Sequence, residues 1–173
     1  MNRYTPAEYT ALLNRTFLPR FPRDNRPRLI CDVNEKGEET LEFILPHPTD
    51  GRFSASLLAV CSGGFVSSCT LHFGQALVAV DLNPEEALDA VTEVIEDRIV
   101  AVIRYKNAEA YENHRKISRS PSQWLYQLPD HEEALSDMIE KLRSPASLFD
   151  QISGKYVGVF EFYRWSESWV QKR

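Results

Sequence analysis

Residues 53–73, FSASLLAVCSGGFVSSCTLHF, decide the fold of this chain. Two apolar segments flank Ser62-Gly63-Gly64, which predicts a β-hairpin with a three-residue loop and Gly64 in the left-handed conformation. This loop predicts two sets of cross-strand pairs, and a slip of one residue would mix them, so the pattern favours this register. One face pairs Cys61 with Phe65, Ala59 with Ser67, Leu57 with Cys69, Ala55 with Leu71 and Phe53 with Phe73. The other face pairs Val60 with Val66, Ser56 with Thr70 and Ser54 with His72.

The hairpin holds two of the three cysteines and one of the four histidines, so a metal or redox site has to be considered. Cys69 and His72 are three residues apart on a strand and therefore point to opposite faces. Cys61 and Cys69 share a face but lie roughly 13 Å apart along the ladder, whereas a disulfide needs α-carbons within about 7 Å. We therefore interpret the cysteines as core residues and predict no metal, no cofactor and no catalytic residue here.

The segment after the hairpin predicts a strand at 76–82, a helix that begins after Asn83, and a strand at 99–105. Asn83 caps the helix, Pro84 takes its first position and Glu86 its third. Ala87, Leu88, Val91, Val94 and Ile95 form one apolar stripe with helical spacing. This pattern fits a strand–helix–strand unit, and equally a hairpin extension followed by a helix on the sheet.

The segment before the hairpin begins with Thr5-Pro6-Ala7-Glu8, which is typical of a capped helix start and predicts a helix that continues to about Phe17. Prolines and arginines at 19–28 then predict an extended connector. RLICDV (28–33) and TLEFIL (40–45) are predicted to be short strands joined by a polar turn.

The C-terminal part predicts further helices, at 107–120 capped by Asn107 and from Asp130 to about Ser144, and a helical turn that Gly154 ends. Residues 121–129 fit a short strand or a loop around a buried Trp124, and residues 155–165 predict a closing strand. The chain is therefore predicted to be α+β. We expect a single domain, 1–173, with a mostly antiparallel central sheet of five to seven strands, helices packed on it, and residues 1–28 as N-terminal helix and Pro/Arg-rich connector.

Composition narrows the class of protein. The 173 residues are 43% hydrophobic and 26% charged, as in ordinary globular proteins. No apolar run approaches the ~20 residues that cross a bilayer, the N-terminus lacks the apolar core of a signal peptide, and three cysteines suit a reducing compartment. We expect a cytoplasmic protein without a membrane partner. Residues 1–28 hold six arginines against Glu8 and Asp24, so their net charge is +4. Because the whole chain has a net charge of −5, the remainder has −9, which disfavours direct nucleic-acid binding.

An acidic run marks the helix after Asn83. From Asp81 to Asp97 there are seven acids and no base, and six of them are expected on the helix, opposite the apolar stripe. Like charges four residues apart cost a few tenths of a kcal/mol per pair, and such a surface would complement a basic partner. A solvated helix face with a chance bias in charge is the alternative. The six predicted partner-binding residues are Glu85, Glu86, Asp89, Glu93, Glu96 and Asp97.

Other chemistry has weaker support in the sequence. Strand carboxylates would serve acid–base catalysis only if two converged, and a nucleophile pair of Cys31 with His47 would have to form across the fold. The aromatic residues near the C-terminus fit a partner interface or core packing equally. The strand carboxylates are Asp32, Glu42, Asp81 and Glu161, and the aromatic residues are Tyr163, Trp165 and Trp169.

Residues 69–105 resemble small bacterial immunity proteins, which neutralise secreted polymorphic or contact-dependent-inhibition toxins. The resemblance rests on CTLHFG (69–74), Asp81, the acidic helix 84–97 and IVAVIRY (99–105). It implies a non-enzymatic protein whose partner is a cognate toxin domain, and many such toxins are basic nucleases, which suits the acidic helix.

Two other functions stay open from the residues. One is a small-molecule-binding or hydrolytic enzyme with a pocket over the sheet, built from His72, Ser54 and Thr70. The other is an oligomeric structural or adaptor protein.

Overall fold

The computed structural model describes residues 3–113 and 122–173, and its contacts divide the chain into two compact units, with the boundary in the sequence between Glu96 and Asp97. Each unit contains one sheet in which all paired strands are antiparallel, together with α-helices. The α+β class is therefore confirmed, with the strands distributed over a five-stranded and a four-stranded sheet. The single domain stays a prediction. None of the helices within these described ranges has the length and apolar character that crossing a bilayer requires.

The first unit is an antiparallel meander whose strands follow one another in chain order, β1 to β5, with two helices on one face. Alternate residues of the inner strands are buried beneath those helices, as period-2 patterning requires. Its elements are α1 (Pro6–Phe17), a 3₁₀ turn (Leu18–Arg20), β1 (Arg28–Val33), β2 (Glu39–Leu45), a 3₁₀ turn (Gly51–Phe53), β3 (Ala55–Ser62), β4 (Phe65–Phe73), β5 (Ala76–Leu82) and α2 (Pro84–Ile95).

The β3–β4 hairpin is confirmed, but its predicted register is wrong. The loop has two residues, Gly63 and Gly64, both with positive φ (59° and 81°), so Ser62 already pairs with Phe65. Two consecutive left-handed residues form the tight turn that fits the twist of a hairpin, and glycine adopts them without steric cost. A bulge at Ser67 then moves the remaining pairs, so that Ala55 lies opposite Phe73 where the sequence predicted Leu71.

Both helix starts predicted in the first unit are confirmed. Thr5 and Asn83 each form a capping box with the glutamate three residues later, and each is followed by proline. Of the two arrangements left open for residues 76–105, the hairpin extension is the one observed. β5 pairs with β4, α2 packs on that sheet, and the next strand belongs to the second unit.

The second unit is a sheet in the order β7-β6-β8-β9, with a core where β6 and β8 meet α4. Val102 and Phe162, a cross-strand pair of β6 and β8, are fully buried beside Leu142. Its elements are β6 (Ile99–Tyr105), α3 (Ala108–Asn113), β7 (Ser122–Gln127), α4 (Glu132–Arg143), α5 (Leu148–Ser153), β8 (Val159–Tyr163) and β9 (Ser168–Lys172).

Several predictions for the second unit need correction or completion. Helix α4 does not begin at Asp130, because His131 donates its backbone N–H to Gln127 O in a turn and itself occupies the N-cap position. Residues 121–129 include a strand, and the half-buried Trp124 stacks on Phe160. Strand β9 was not predicted. Asn107 caps α3, as predicted, because its side chain accepts the Ala110 N–H. The predicted part of this helix at 114–120 lies outside the described residues.

Candidate partner-binding surface

The acidic surface, here the carboxylates of residues 85–96 on α2 and its C-cap, begins at a capped helix start. The Asn83 side chain accepts the N–H groups of Glu85 and Glu86, both at 3.0 Å. In return the Glu86 carboxylate accepts the Asn83 N–H at 2.9 Å. This capping box satisfies N–H groups that the helix cannot pair itself. Glu86 is therefore a structural residue as well as a surface charge.

Packing of the opposite side of α2 fixes the direction of the carboxylates. Ala87, Val91 and Val94 are completely buried against the sheet, at 0% exposure. Leu88 and Ile95, the other members of the predicted stripe, are half-buried. Because residues three and four apart lie on one side of a helix, burial of this stripe turns the acids toward solvent. Glu85, Glu86, Asp89 and Glu96 are exposed, and Glu93 is half-buried.

The two ends of the acidic surface are partly compensated from the N-terminal segment. The Tyr4 hydroxyl donates to the Glu85 carboxylate at 3.3 Å, and Arg20 forms an ion pair with Glu96 at 3.5 Å. Sequence reasoning missed both contacts because they join residues 81 and 76 positions apart. The excess of arginine in residues 1–28, next to the negative net charge of the remaining residues, is the sequence feature that could have indicated such contacts. Both side chains of the Arg20–Glu96 pair are more than 40% exposed, so the pair adds little stability.

Asp89 is the least compensated carboxylate of the acidic surface. It lies at the centre of α2, four residues from both Glu85 and Glu93, and makes no hydrogen bond or ion pair with the described residues. Neighbours at this spacing are about 5–6 Å apart between β-carbons. The centre of α2 therefore carries a negative charge at Asp89, and the helix itself contains no basic residue.

Asp97 does not lie on the helix, so the sequence-based placement is wrong for this residue. Helix α2 ends at Ile95, Glu96 is its C-cap, and Asp97 has a left-handed φ of 59°. Asp tolerates this conformation better than most residues, and here it follows the helix where the chain leads into β6. The Asp97 carboxylate accepts the Ser166 N–H at 2.8 Å. Its role in partner binding stays a prediction.

The alternative site around His72 is only partly assembled. His72 lies half-buried on the sheet face opposite the helices, and its cross-strand partner is Ser56 where the sequence predicted Ser54. Ser54 precedes β3 and donates its hydroxyl to Gly51 O, while Thr70 pairs with Leu58, two residue pairs away along the ladder. Two shallow surface depressions, one along α1 and one at the β3–β4 turn, do not include His72.

The hairpin cysteines are core residues, as predicted. Cys61 and Cys69 are 5% and 0% exposed, and all three cysteines are free thiols. Burial raises the pKa of the Cys69 thiol to about 11, and its Sγ lies 3.6 Å from the Tyr9 hydroxyl oxygen. The Tyr9 hydroxyl in turn donates to Pro84 O at 3.1 Å, which connects α1, α2 and β4.

Cys31 and His47 do not form the pair that nucleophilic catalysis would need. Cys31 is exposed on β1 opposite Leu41, and Leu45, where β2 ends, is already about 13 Å farther along the strand. His47 follows in the next loop, where its Nδ1 accepts the N–H groups of Thr49 and Asp50 at 3.2 and 3.1 Å. The His47 Nδ1 therefore stabilises the conformation of its own loop.

The strand carboxylates have separate local partners. Glu42 accepts the Ser56 hydroxyl at 2.6 Å, and Asp32 accepts the Val33 N–H at 2.7 Å. Asp81 accepts the Ser68 hydroxyl at 3.4 Å, and in the second unit the buried Glu161 accepts the Tyr105 hydroxyl at 2.8 Å. These contacts give each carboxylate its own neighbour.

The C-terminal aromatic residues are explained by core packing. Tyr163 and Trp165 are 0% and 8% exposed, and Trp169 stacks on Phe162 with ring centroids 5.1 Å apart. Of the two readings that the sequence left open, the structure favours the core.

Among residues 3–113 and 122–173, no group of three or more His, Cys, Asp and Glu side chains is placed to hold a metal ion. Comparisons with protein-family models, with curated proteins and with solved structures gave no match for this chain.

Proposed function

We propose that this protein is a non-enzymatic immunity protein that binds and neutralises a cognate bacterial toxin domain of basic charge. The observation that carries the proposal is the acidic row on α2, where the exposed Glu85 and Asp89 and the half-buried Glu93 follow one another at four-residue spacing without a base on the helix. A row of like charges lowers helix stability. A basic partner surface would turn this unfavourable term into a favourable one.

Rigidity makes the acidic surface suitable for recognition. Helix α2 has 12 residues, a capping box at its start and buried Ala87, Val91 and Val94, so packing fixes the helix backbone that carries the carboxylates. A partner that binds a pre-ordered surface loses less conformational entropy than one that binds a flexible segment. Complementary charge also raises the rate of association, an effect that falls with ionic strength.

The proposal is tested by co-expression. The C-terminal part of the protein encoded immediately upstream is expressed with and without this chain, and surviving colonies are counted. We expect toxicity that this chain relieves. Toxicity that persists in the presence of the chain, or an upstream product without toxicity, would contradict the immunity function.

The role of α2 needs a variant that leaves the fold intact. Asp89→Lys reverses the least compensated charge, whereas reversal of Glu86 would also break the capping box. Asp137→Lys is the matched control, since Asp137 is an exposed mid-helix acid on α4 and gives the same change in net charge. We expect Asp89→Lys to weaken rescue at low expression and Asp137→Lys to preserve it. Equal rescue by both variants would remove α2 from the interface.

A further inference from the structure

Strand β1 is an open edge of the first sheet that is exposed on both faces. Within residues 3–113 and 122–173, its only strand neighbour is β2. Ile30 is 48% exposed on one face, and Val33 is 57% exposed on the other, where Cys31 is exposed as well. An edge strand presents unpaired N–H and C=O groups, and apolar side chains beside them favour pairing with another strand.

The hydrogen-bonding direction of β1 follows from its turn. Asn34 donates its N–H to Glu38 O at 2.9 Å, so Asn34 faces β2. The β1–β2 register is continuous, and in an antiparallel pair successive residues alternate between facing the neighbour and facing away. Leu29, Cys31 and Val33 therefore direct their backbone groups toward the free edge.

The side chains of β1 have a self-complementary order. Arg28, Ile30 and Asp32 share the sheet face opposite the helices, with the apolar residue midway between a cation and an anion. Arg28 and Asp32 are four residues apart, about 13 Å along a strand, so they do not pair with each other. Neither forms an ion pair with any residue in the described ranges.

We propose that β1 is the dimerisation edge of this protein and pairs antiparallel with β1 of a second copy, centred on Ile30. In this register Arg28 lies opposite the partner's Asp32, Ile30 opposite the partner's Ile30, and the two-fold axis repeats the ion pair at the other end. The central pair is of the non-hydrogen-bonded type, in which the side chains approach most closely. Opposite charges and apolar residues facing each other across strands each stabilise a pair.

The two ends of β1 limit the ladder to its centre. Leu29 and the partner's Cys31 exchange two hydrogen bonds, and the symmetric pair adds two more. Beyond them the next pair would be Val33 with the partner's Pro27. Proline has no N–H to donate, and the Val33 N–H is already bonded to the Asp32 carboxylate at 2.7 Å. A single short register is thus defined.

Neighbouring registers are less favourable. Only odd-numbered residues direct their backbone groups to the free edge, so odd-numbered residues must pair with odd-numbered residues of the partner. The two-fold axis then passes through a residue, and the neighbouring registers have it at Cys31 or at Leu29. An axis at Cys31 would place Ile30 opposite the partner's Asp32, and an axis at Leu29 would place Ile30 opposite the partner's Arg28. Each forfeits the apolar pair, so the register centred on Ile30 is selected.

The dimer is expected to be weak, since pairing of one short edge buries less than the ~1,200 Å² of a standard interface. Sedimentation equilibrium of the full chain from about 10 µM to 1 mM spans the corresponding dissociation constants. We expect wild-type dimers that Asp32→Arg weakens at least tenfold, because it places two arginines opposite each other twice. Arg28→Asp together with Asp32→Arg exchanges the charges and restores dimerisation. Leu77→Lys on the opposite edge strand is the control and leaves it unchanged.

Disulfide trapping tests the register independently. Leu29→Cys creates a thiol directly opposite the partner's Cys31, within the α-carbon distance a disulfide allows. Oxidation should convert this variant to a covalent dimer, and Leu29→Cys with Cys31→Ser should form no covalent dimer. A wild-type chain that is monomeric at about 1 mM, a double charge exchange that fails to restore the dimer, or no trapping by Leu29→Cys would overturn the proposal.

Discussion

Asp89→Lys should make the isolated protein more stable while it weakens partner binding. Asp89 is exposed and lies four residues from both Glu85 and Glu93 on α2. Each like-charge pair at this spacing costs about 0.2–0.5 kcal/mol, and each opposite pair gains a similar amount. Reversal of one charge changes two pairs, and screening at exposed positions reduces the sum, so we expect a gain of about 1 kcal/mol in the free energy of unfolding.

The assay is urea denaturation of the full chain followed by far-UV circular dichroism at low ionic strength. With a slope of about 2 kcal/mol per molar urea, the midpoint should rise by about 0.5 M. Asp89→Asn removes the repulsion without adding attraction and should give about half of the shift. High salt should reduce both gains.

Asp137→Lys is again the control, because Asp137 lies between Glu133 and Lys141 on α4. In the wild type Asp137 is repelled by Glu133 and attracted by Lys141. Lysine at this position is attracted by Glu133 and repelled by Lys141, so the two changes cancel and we expect little change in stability. The reasoning is refuted if Asp89→Lys leaves the midpoint unchanged or lowers it at low salt. A gain that does not depend on salt would also show that charge repulsion is not its cause.

Three further predictions concern capping, acid stability and thiol reactivity. Asn83→Ala should lower the free energy of unfolding by about 1–2 kcal/mol, whereas Asp130→Ala, outside the observed α4, should have little effect in the same urea titration. The Ser147 hydroxyl, aided by Arg173 and Lys141, holds the pKa of Asp150 below its usual range. Its stabilisation is therefore complete above the unfolded-state pKa of about 4 and is lost as the pH falls through the folded-state pKa. Asp150→Asn should flatten this acid dependence in tryptophan fluorescence, since all three tryptophans follow residue 97, and an unchanged slope would exclude Asp150 as its source. An alkylating reagent at pH 8 should label Cys31 rapidly and spare Cys69, whose burial raises its pKa to about 11; rapid loss of the Cys69 thiol in the folded protein would contradict the packing of the hairpin.

Local patterns made much of the first unit predictable. The caps at Thr5 and Asn83 depend on residues three positions apart, and both are observed as predicted. The alternation of the hairpin placed Leu57 and Leu71 on one face, and both are buried in the structure even though their partners were misassigned. Period and capping are properties of a short segment, so one sequence contains the information they need.

The features that were missed depend on geometry beyond a short segment. The hairpin register changed because Ser62 joined β3 and Ser67 formed a bulge, and small differences in turn geometry decide both. The Arg20–Glu96 pair joins residues far apart in the chain. Asp97 left the predicted helix because the chain turns there with a positive φ. Alternation and spacing do not encode such events, which tertiary contacts decide.

The rate of association between this chain and the toxin domain that we propose as its partner tests the central claim most directly. It is measured at low and at physiological ionic strength for the wild type, Asp89→Lys and Asp137→Lys. We predict that Asp89→Lys slows association about threefold to tenfold at low salt, with a smaller effect at high salt, while Asp137→Lys matches the wild type. Equal rates for all three proteins at low salt would contradict the assignment of the acidic surface of α2 as the partner-binding site.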